Sequence, residues 1–387
     1  MVDFPIPTSV FPRSRFTGKR LSQKNTCSSV KKNGKTLNLA LKDSEGQTCL
    51  GVALWKKYYS MALQLINCGA CLDDVDDNNL TLLHQTIINK NYESALFLID
   101  QQADINIKTP DGVSCLELSL DSNLPDVTDR LCAAGCNTNV ISEKAGCCLL
   151  WKALDAKLFA CAQVLIRNKC DVDSWSAGPN NCRQTLLHKA IDENKEDVAC
   201  FLIRSSCDVN SPRKPGPNGE GEEEARDDQG PLHLSASWGL VQVLQCLIEA
   251  QADVNAKDSE GDTPLHIGIR NQHHDVIFLL LSHPVLNLRV RNKKNQTPFS
   301  VAVATRNKKA AQAIMNRDPS VAEQHKGYQK RLKPRSKSLS LLEVLDENLI
   351  ELLEIMNFFQ KRSVKTFSNG TSSKFLSEME SLTAIYV

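Results

Sequence analysis

The apolar positions along this chain recur with a long period. Taking Thr185 as an anchor, matching residues stand at Thr48, Thr81, Ser114, Cys148, Gly230, Thr263 and Thr297, in steps of 33, 33, 34, 37, 45, 33 and 34 residues. Two residues after each anchor come Leu50, Leu83, Leu116, Leu150, Leu187, Leu232, Leu265 and Phe299. Seventeen after it come Leu65, Leu98, Leu131, Leu165, Leu202, Leu247, Leu280 and Ile314. Large apolar side chains therefore fill both columns in every copy. Self-similarity at this spacing marks a repeat architecture, in which each unit buries its apolar face on its neighbours.

One copy predicts two short helices. In "TPLHIGIRNQ" the threonine suits an N-cap and Pro264 the first helical position, and the helix should end near Asn271. A second helix, "HDVIFLLLS", carries apolar residues at helical spacing. Two residues before each anchor stand Gly46, Asn79, Gly112, Gly146, Arg183, Asp228, Gly261 and Asn295. Most are Gly or Asn, which tolerate a left-handed backbone, so a tight turn should precede each copy. "QADIN", "KCDVD", "SCDVN" and "QADVN" close the units at Asn106, Asp173, Asn210 and Asn255. Helices of about 8–10 residues do not hold by themselves in water, where about 12–15 residues is already marginal.

This pattern resembles the ankyrin repeat, through "TPLH" at 263–266, "TLLH" at 81–84 and 185–188, and "ADVN" at 252–255. The resemblance implies an all-α solenoid of stacked helix pairs with projecting β-turn fingers, eight repeats over 43–318. "TPDG" (109–112) and "DSEG" (43–46 and 258–261) should be finger tips. Two steps exceed the period, through "WSAGPNNCRQ" (175–184) and an acidic insertion at 211–230 containing Glu222–Glu224, expected to be a solvated finger extension. Residues 1–42 carry nine Lys or Arg and one acid, Asp3, and read as a basic disordered segment. After the repeats come a basic linker (319–340), an amphipathic helix (341–359) and a Ser-rich tail (360–387). The helix has apolar residues at Leu342, Leu345, Leu349, Leu352, Met356 and Phe359, and would cap the last repeat or enter a partner groove.

Composition narrows the function classes. Lys plus Arg number 46 against 45 acids in 387 residues, so net charge offers no case for nucleic acid. The longest apolar run, "VIFLLL", is too short to span a membrane. Fifteen cysteines and an opening without an apolar signal core point to a reducing, cytoplasmic setting.

Several residues look like chemistry. His84, His188, His233 and His266 share one motif slot, which Trp151 fills in another copy. One histidine per repeat does not converge on a single ion, and the resemblance implies hydrogen bonds that tie neighbouring turns. Cys68 and Cys71 form a C-x-x-C, but a zinc site needs a second pair, and Cys132 and Cys136 lie in a later repeat. No phosphate loop or nucleophile elbow occurs, so the expectation is a non-enzymatic chain with no catalytic residue, cofactor or metal.

"LLHKAIDENKEDVACFLIRSSCDVNSPRKPGPNGEGEEEARD" and "SASWGLVQVLQCLIEAQADVNAKDSEGDTPLHIGIRNQHHDVI" closely resemble the Rabankyrin family of endosomal ankyrin-repeat proteins, a likeness covering 43–324. That resemblance implies a protein-interaction scaffold that binds a Rab5-type small GTPase at endosomal membranes, in endocytosis and macropinocytosis. Counterparts of the family's BTB domain and FYVE zinc finger are not seen, so membrane association is expected to be indirect or through the basic ends. Trp238, at a helix end beside Gly239, would anchor a partner or pack on the next repeat, and Lys189, Asp262 and Arg270 are further protein-binding candidates at non-core positions. Asn106, Asn210 and Asn255 resemble the asparagines that cytosolic asparaginyl hydroxylase modifies in ankyrin repeats; unmodified turn residues are the alternative. Two other functions stay open. One is a substrate adaptor of a ubiquitin ligase; the other is a peripheral membrane binder whose basic ends release in salt.

Overall fold

The N-cap positions of the helices fall on the anchors read from the sequence. Thr48, Thr81, Ser114 and Cys148 each adopt an extended backbone, and their side chains accept a hydrogen bond from an N–H of the first helical turn. A computed structural model describes residues 29–32, 35–44, 46–179, 182–215 and 227–321. Glu222–Glu224, the helix expected at 341–359 and the tail at 360–387 lie outside the described residues. The chain divides into two units after Asp171.

The first unit opens with antiparallel strands β1 (Ser29–Lys32) and β2 (Lys35–Asn38), Ser29 facing Asn38 and Lys32 facing Lys35. Of the basic segment expected to be disordered over 1–42, residues 1–28, 33 and 34 lie outside the described residues. Four helix pairs follow: α1 (Cys49–Trp55) with α2 (Tyr59–Asn67), α3 (Leu82–Ile88) with α4 (Tyr92–Asp100), α5 (Cys115–Asp121) with α6 (Pro125–Ala133), and α7 (Leu149–Asp155) with α8 (Phe159–Arg167). First helices have seven residues and second helices nine. Bridges between Lys42 and Thr48, Val75 and Thr81, Lys108 and Ser114, and Ile141 and Cys148 close the β-turn fingers.

The second unit begins with β3 (Trp175–Ala177) and β4 (Cys182–Thr185), followed by α9 (Leu186–Asp192) and α10 (Glu196–Arg204). Next come β5 (Lys214–Pro215), α11 (Pro231–Trp238) with α12 (Val241–Glu249), α13 (Pro264–Arg270) with α14 (His274–Ser282), and α15 (Pro298–Ala304) with α16 (Lys308–Arg317). The first helices pack on one another as one layer, and the second helices as another. β4 is the middle strand of an antiparallel sheet, with Trp175 opposite Thr185 and Cys182 opposite Pro215.

The core follows the two apolar columns. Each residue two after an anchor is buried, and so is each residue seventeen after, except Leu65, which is half-buried in the first described pair. A first helix of seven residues gains its stability from this burial, not from its own propensity. Finger tips close with a hydrogen bond three residues back, Gly112 N–H to Thr109 O at 2.9 Å and Gly261 N–H to Asp258 O at 2.9 Å. The turn column is left-handed at Gly46, Asn79, Gly112, Gly146, Asp228, Gly261 and Asn295; Arg183 instead pairs within β4.

Candidate functional site

The histidine slot is structural. Nδ1 of His84 accepts from Thr81 N–H at 3.1 Å, and Nε2 donates to Ile107 O at 3.0 Å in the following finger. His266 repeats this with Thr263 N–H (3.1 Å) and Gln296 O (3.1 Å), and His233 with Gly230 N–H (3.2 Å) and Ala256 O (3.0 Å). An accepting Nδ1 and a donating Nε2 require the neutral ring. Burial lowers the pKa of all four, and His188 is pushed down to about 3 by burial and then by the Arg213 charge. In the third copy Glu117 does the same work, reaching Ser142 Oγ at 2.6 Å in the next finger and Lys152 Nζ at 2.8 Å. Trp151, in the same slot, is buried.

The described ends of the two insertions meet at one arginine. Arg213 is 5% exposed and forms ion pairs with Asp192 and, at 3.1 Å, Asp227. Its Nη2 also donates to Gln184 Oε1 at 3.3 Å, and its backbone N–H donates to Gln229 O at 3.1 Å. Trp175 lies under two cations, Lys214 Nζ 4.5 Å and the Arg183 guanidinium 5.7 Å from its ring centre. The described ends of the 211–230 insertion are thus tied down, while the solvated extension expected between them lies outside the described residues. A buried cation is costly unless paired, and three acceptors surround this one.

This arrangement builds a cleft of about 390 Å³ at the ends of α9 and α11. Arg213, Asp192, Gln184 and Gln229 form its polar wall, and Pro179, Leu234 and Trp238 its apolar wall. Lys189 and Glu193 stand at its edge, 3.9 Å apart. Trp238 is 59% exposed, and its Nε1 donates to Asp192 Oδ1 at 3.4 Å. Gly239, in the left-handed conformation (φ 74°), caps α11 directly behind it.

Of the four protein-binding candidates, Lys189 and Trp238 line this cleft. Asp262 and Arg270 do not; they pair with each other at 2.5 Å. Asp262 is 2% exposed and also accepts from Asn292 Nδ2 at 2.8 Å, so it is a buried structural acid and not a surface contact. The sequence reading missed Arg213, Asp192 and Gln184. Arg213 sits in an irregular insertion that no periodicity describes. Asn106 and Asn210 are exposed and Asn255 is half-buried, all at finger bases. Among the described residues no cluster could hold a metal ion, and no helix is long and apolar enough to cross a membrane.

Comparisons with known sequences support ankyrin repeats. A family profile for ankyrin repeats (three copies) matches residues 232–325. The chain is 52% identical over 287 residues to mouse Rabankyrin-5 and 51% identical over 287 residues to the human protein. These alignments cover 74% of this chain and 24% of each relative, so the chain spans about a quarter of the length of the curated relatives it matches. Among solved structures, the ankyrin-repeat domain of Bcl-3 aligns with a TM-score of 0.48 at 19% identity, over 62% of this chain and 99% of that one. The chain is an ankyrin-repeat protein, a protein-interaction scaffold by class. Its repeats resemble the repeat region of Rabankyrin-5.

Proposed function

We propose that this chain is a scaffold whose second unit docks a protein partner in the cleft at α9 and α11. The partner in this reading is a Rab5-type small GTPase in its GTP-bound form, recruited at endosomal membranes during endocytosis and macropinocytosis. The observation that carries the docking site is the exposure of Trp238, which hydrogen-bonds Asp192 and lines the cleft with Leu234 and Pro179. A tryptophan in that setting supplies a large apolar contact at small entropic cost, and such residues dominate binding energy at interfaces. Lys189 and Glu193 at the edge would contribute partner selection more than affinity. The choice of GTPase rests on the likeness to Rabankyrin-5.

The test is retention of the full chain on immobilised Rab5-type GTPase loaded with a GTP analogue or with GDP. Retention on the GTP form alone is expected. Equal retention on both, or none, contradicts the GTPase assignment. Recovery of elongin and cullin from cell extract in its place would favour a ubiquitin-ligase adaptor.

A further inference from the structure

Helices α10 and α12 lie side by side in the second unit, and each turns a cysteine toward the other. Cys200 and Cys246, 46 residues apart in sequence, hold their sulfurs at 3.4 Å, with Cys246 donating to Cys200. Both are half-buried. Ala199, Leu202 and Leu247, all fully buried, fix the two helices against each other, so the thiols are held in place by the core. A disulfide has its sulfurs about 2.05 Å apart. The sulfurs thus stand about 1.4 Å outside that bond length.

We infer that Cys200 and Cys246 form a reversible intrachain disulfide when the chain meets a small-molecule disulfide such as oxidised glutathione. One protein thiolate attacks a sulfur of the reagent, forming a mixed disulfide and releasing one reduced thiol. The second protein thiolate then attacks the protein-side sulfur of that mixed disulfide, closing the Cys200–Cys246 bond and releasing the second reduced thiol. The two cysteines lose two protons and two electrons, and the reagent takes up both. Burial, and then the neighbouring Cys246, push the Cys200 thiol up to about 12, which disfavours its thiolate. The finished bond staples two consecutive repeats, the same two whose first helices frame the cleft. The inference does not depend on what the cleft binds.

The experiment uses the full chain, reduced, freed of reductant and exposed to oxidised glutathione, then blocked with N-ethylmaleimide and mapped by mass spectrometry without reduction. A peptide pair joined through Cys200 and Cys246 is expected, and it should separate on reduction. In Cys246→Ser the second attack has no nucleophile, so Cys200 should stop at the glutathione adduct. Exposed Cys49, Cys68 and Cys71 report that the reagent acted. The inference is overturned if those three carry glutathione while wild-type Cys200 and Cys246 remain alkylated or stay as separate adducts.

Discussion

Asn255 Oδ1 accepts the backbone N–H of Asn287 at 2.8 Å, joining the base of one finger to the next. Asn210 does the same for Asp253 (2.8 Å), Asp173 for Asp208 (2.9 Å), and in the first unit Asp73 for Asp104 (2.8 Å) and Asn139 for Asp171 (2.8 Å). In these five repeats the closing Asp or Asn is therefore an acceptor for its neighbour. Asn255→Ala should cost about 0.5–1.5 kcal/mol in urea denaturation. Asn255→Asp keeps the acceptor toward Asn287 but loses the amide donor to Val285 O at 3.1 Å, so it should fall between wild type and Asn255→Ala. An equal loss in both would remove the ladder from the account.

Stacking makes the apolar columns unequal at the edge of a unit. Leu247 is fully buried between neighbours, whereas Leu65 is half-buried. Leu247→Ala should cost about 2–5 kcal/mol, and Leu65→Ala clearly less. Denaturation midpoints at unchanged slope would check both.

Gly239 combines two constraints. Its φ is +74°, and an added Cβ would lie 2.8 Å from His273 Nδ1. Gly69 has a φ of +94° with open space around it. Gly239→Ala should therefore destabilise by about 1–3 kcal/mol, and Gly69→Ala by roughly the left-handed term alone, about 1 kcal/mol. Thermal melting of both variants separates contact from conformation.

The slot histidines set a pH dependence. Each is held neutral by burial in the folded chain, with its pKa below the ordinary value of 6.5, and His188 near about 3. The unfolded chain takes up protons first, so stability is full above pH ~6.5 and falls as the pH drops toward the folded values. Each such histidine adds up to about 1.4 kcal/mol per pH unit. Asp258, raised by burial to about 6, acts in the opposite sense as the pH falls through that value. The second unit holds three such histidines against this acid, so the net loss should persist. Urea midpoints at pH 7.5 and pH 5 would show it, and His266→Gln should reduce the difference.

The repeats were legible because burial on two faces forces the same apolar residues into Leu50 through Phe299 and Leu65 through Ile314. The finger tips were legible because Gly and Asn advertise a left-handed turn. A second left-handed column was hidden, at Lys57, Lys90, Asn123, Lys157, Asn194, Gly239, Gln272 and Arg306, nine residues after each anchor. There the inter-helix turn imposes the conformation; Lys57 N–H, for example, closes on Leu54 O at 3.0 Å. Most of its residues have no preference for that backbone, so composition could not reveal it. The cleft was half legible. Trp238 and Lys189 stood out as large or charged side chains at helix positions away from the core. Asp262 was misjudged, since nothing in its local sequence announces that Asn292, thirty residues on, would bury and satisfy it. Arg213 depends on two insertions meeting, which only the folded chain shows.

Trp238 is where the docking account can be tested most directly. Titration calorimetry would compare the full chain and Trp238→Ala against a Rab5-type GTPase loaded with a GTP analogue, after confirming equal melting temperatures. The account predicts affinity weakened by about tenfold or more, the loss expected for a central aromatic anchor. Unchanged affinity in a folded Trp238→Ala chain would contradict it.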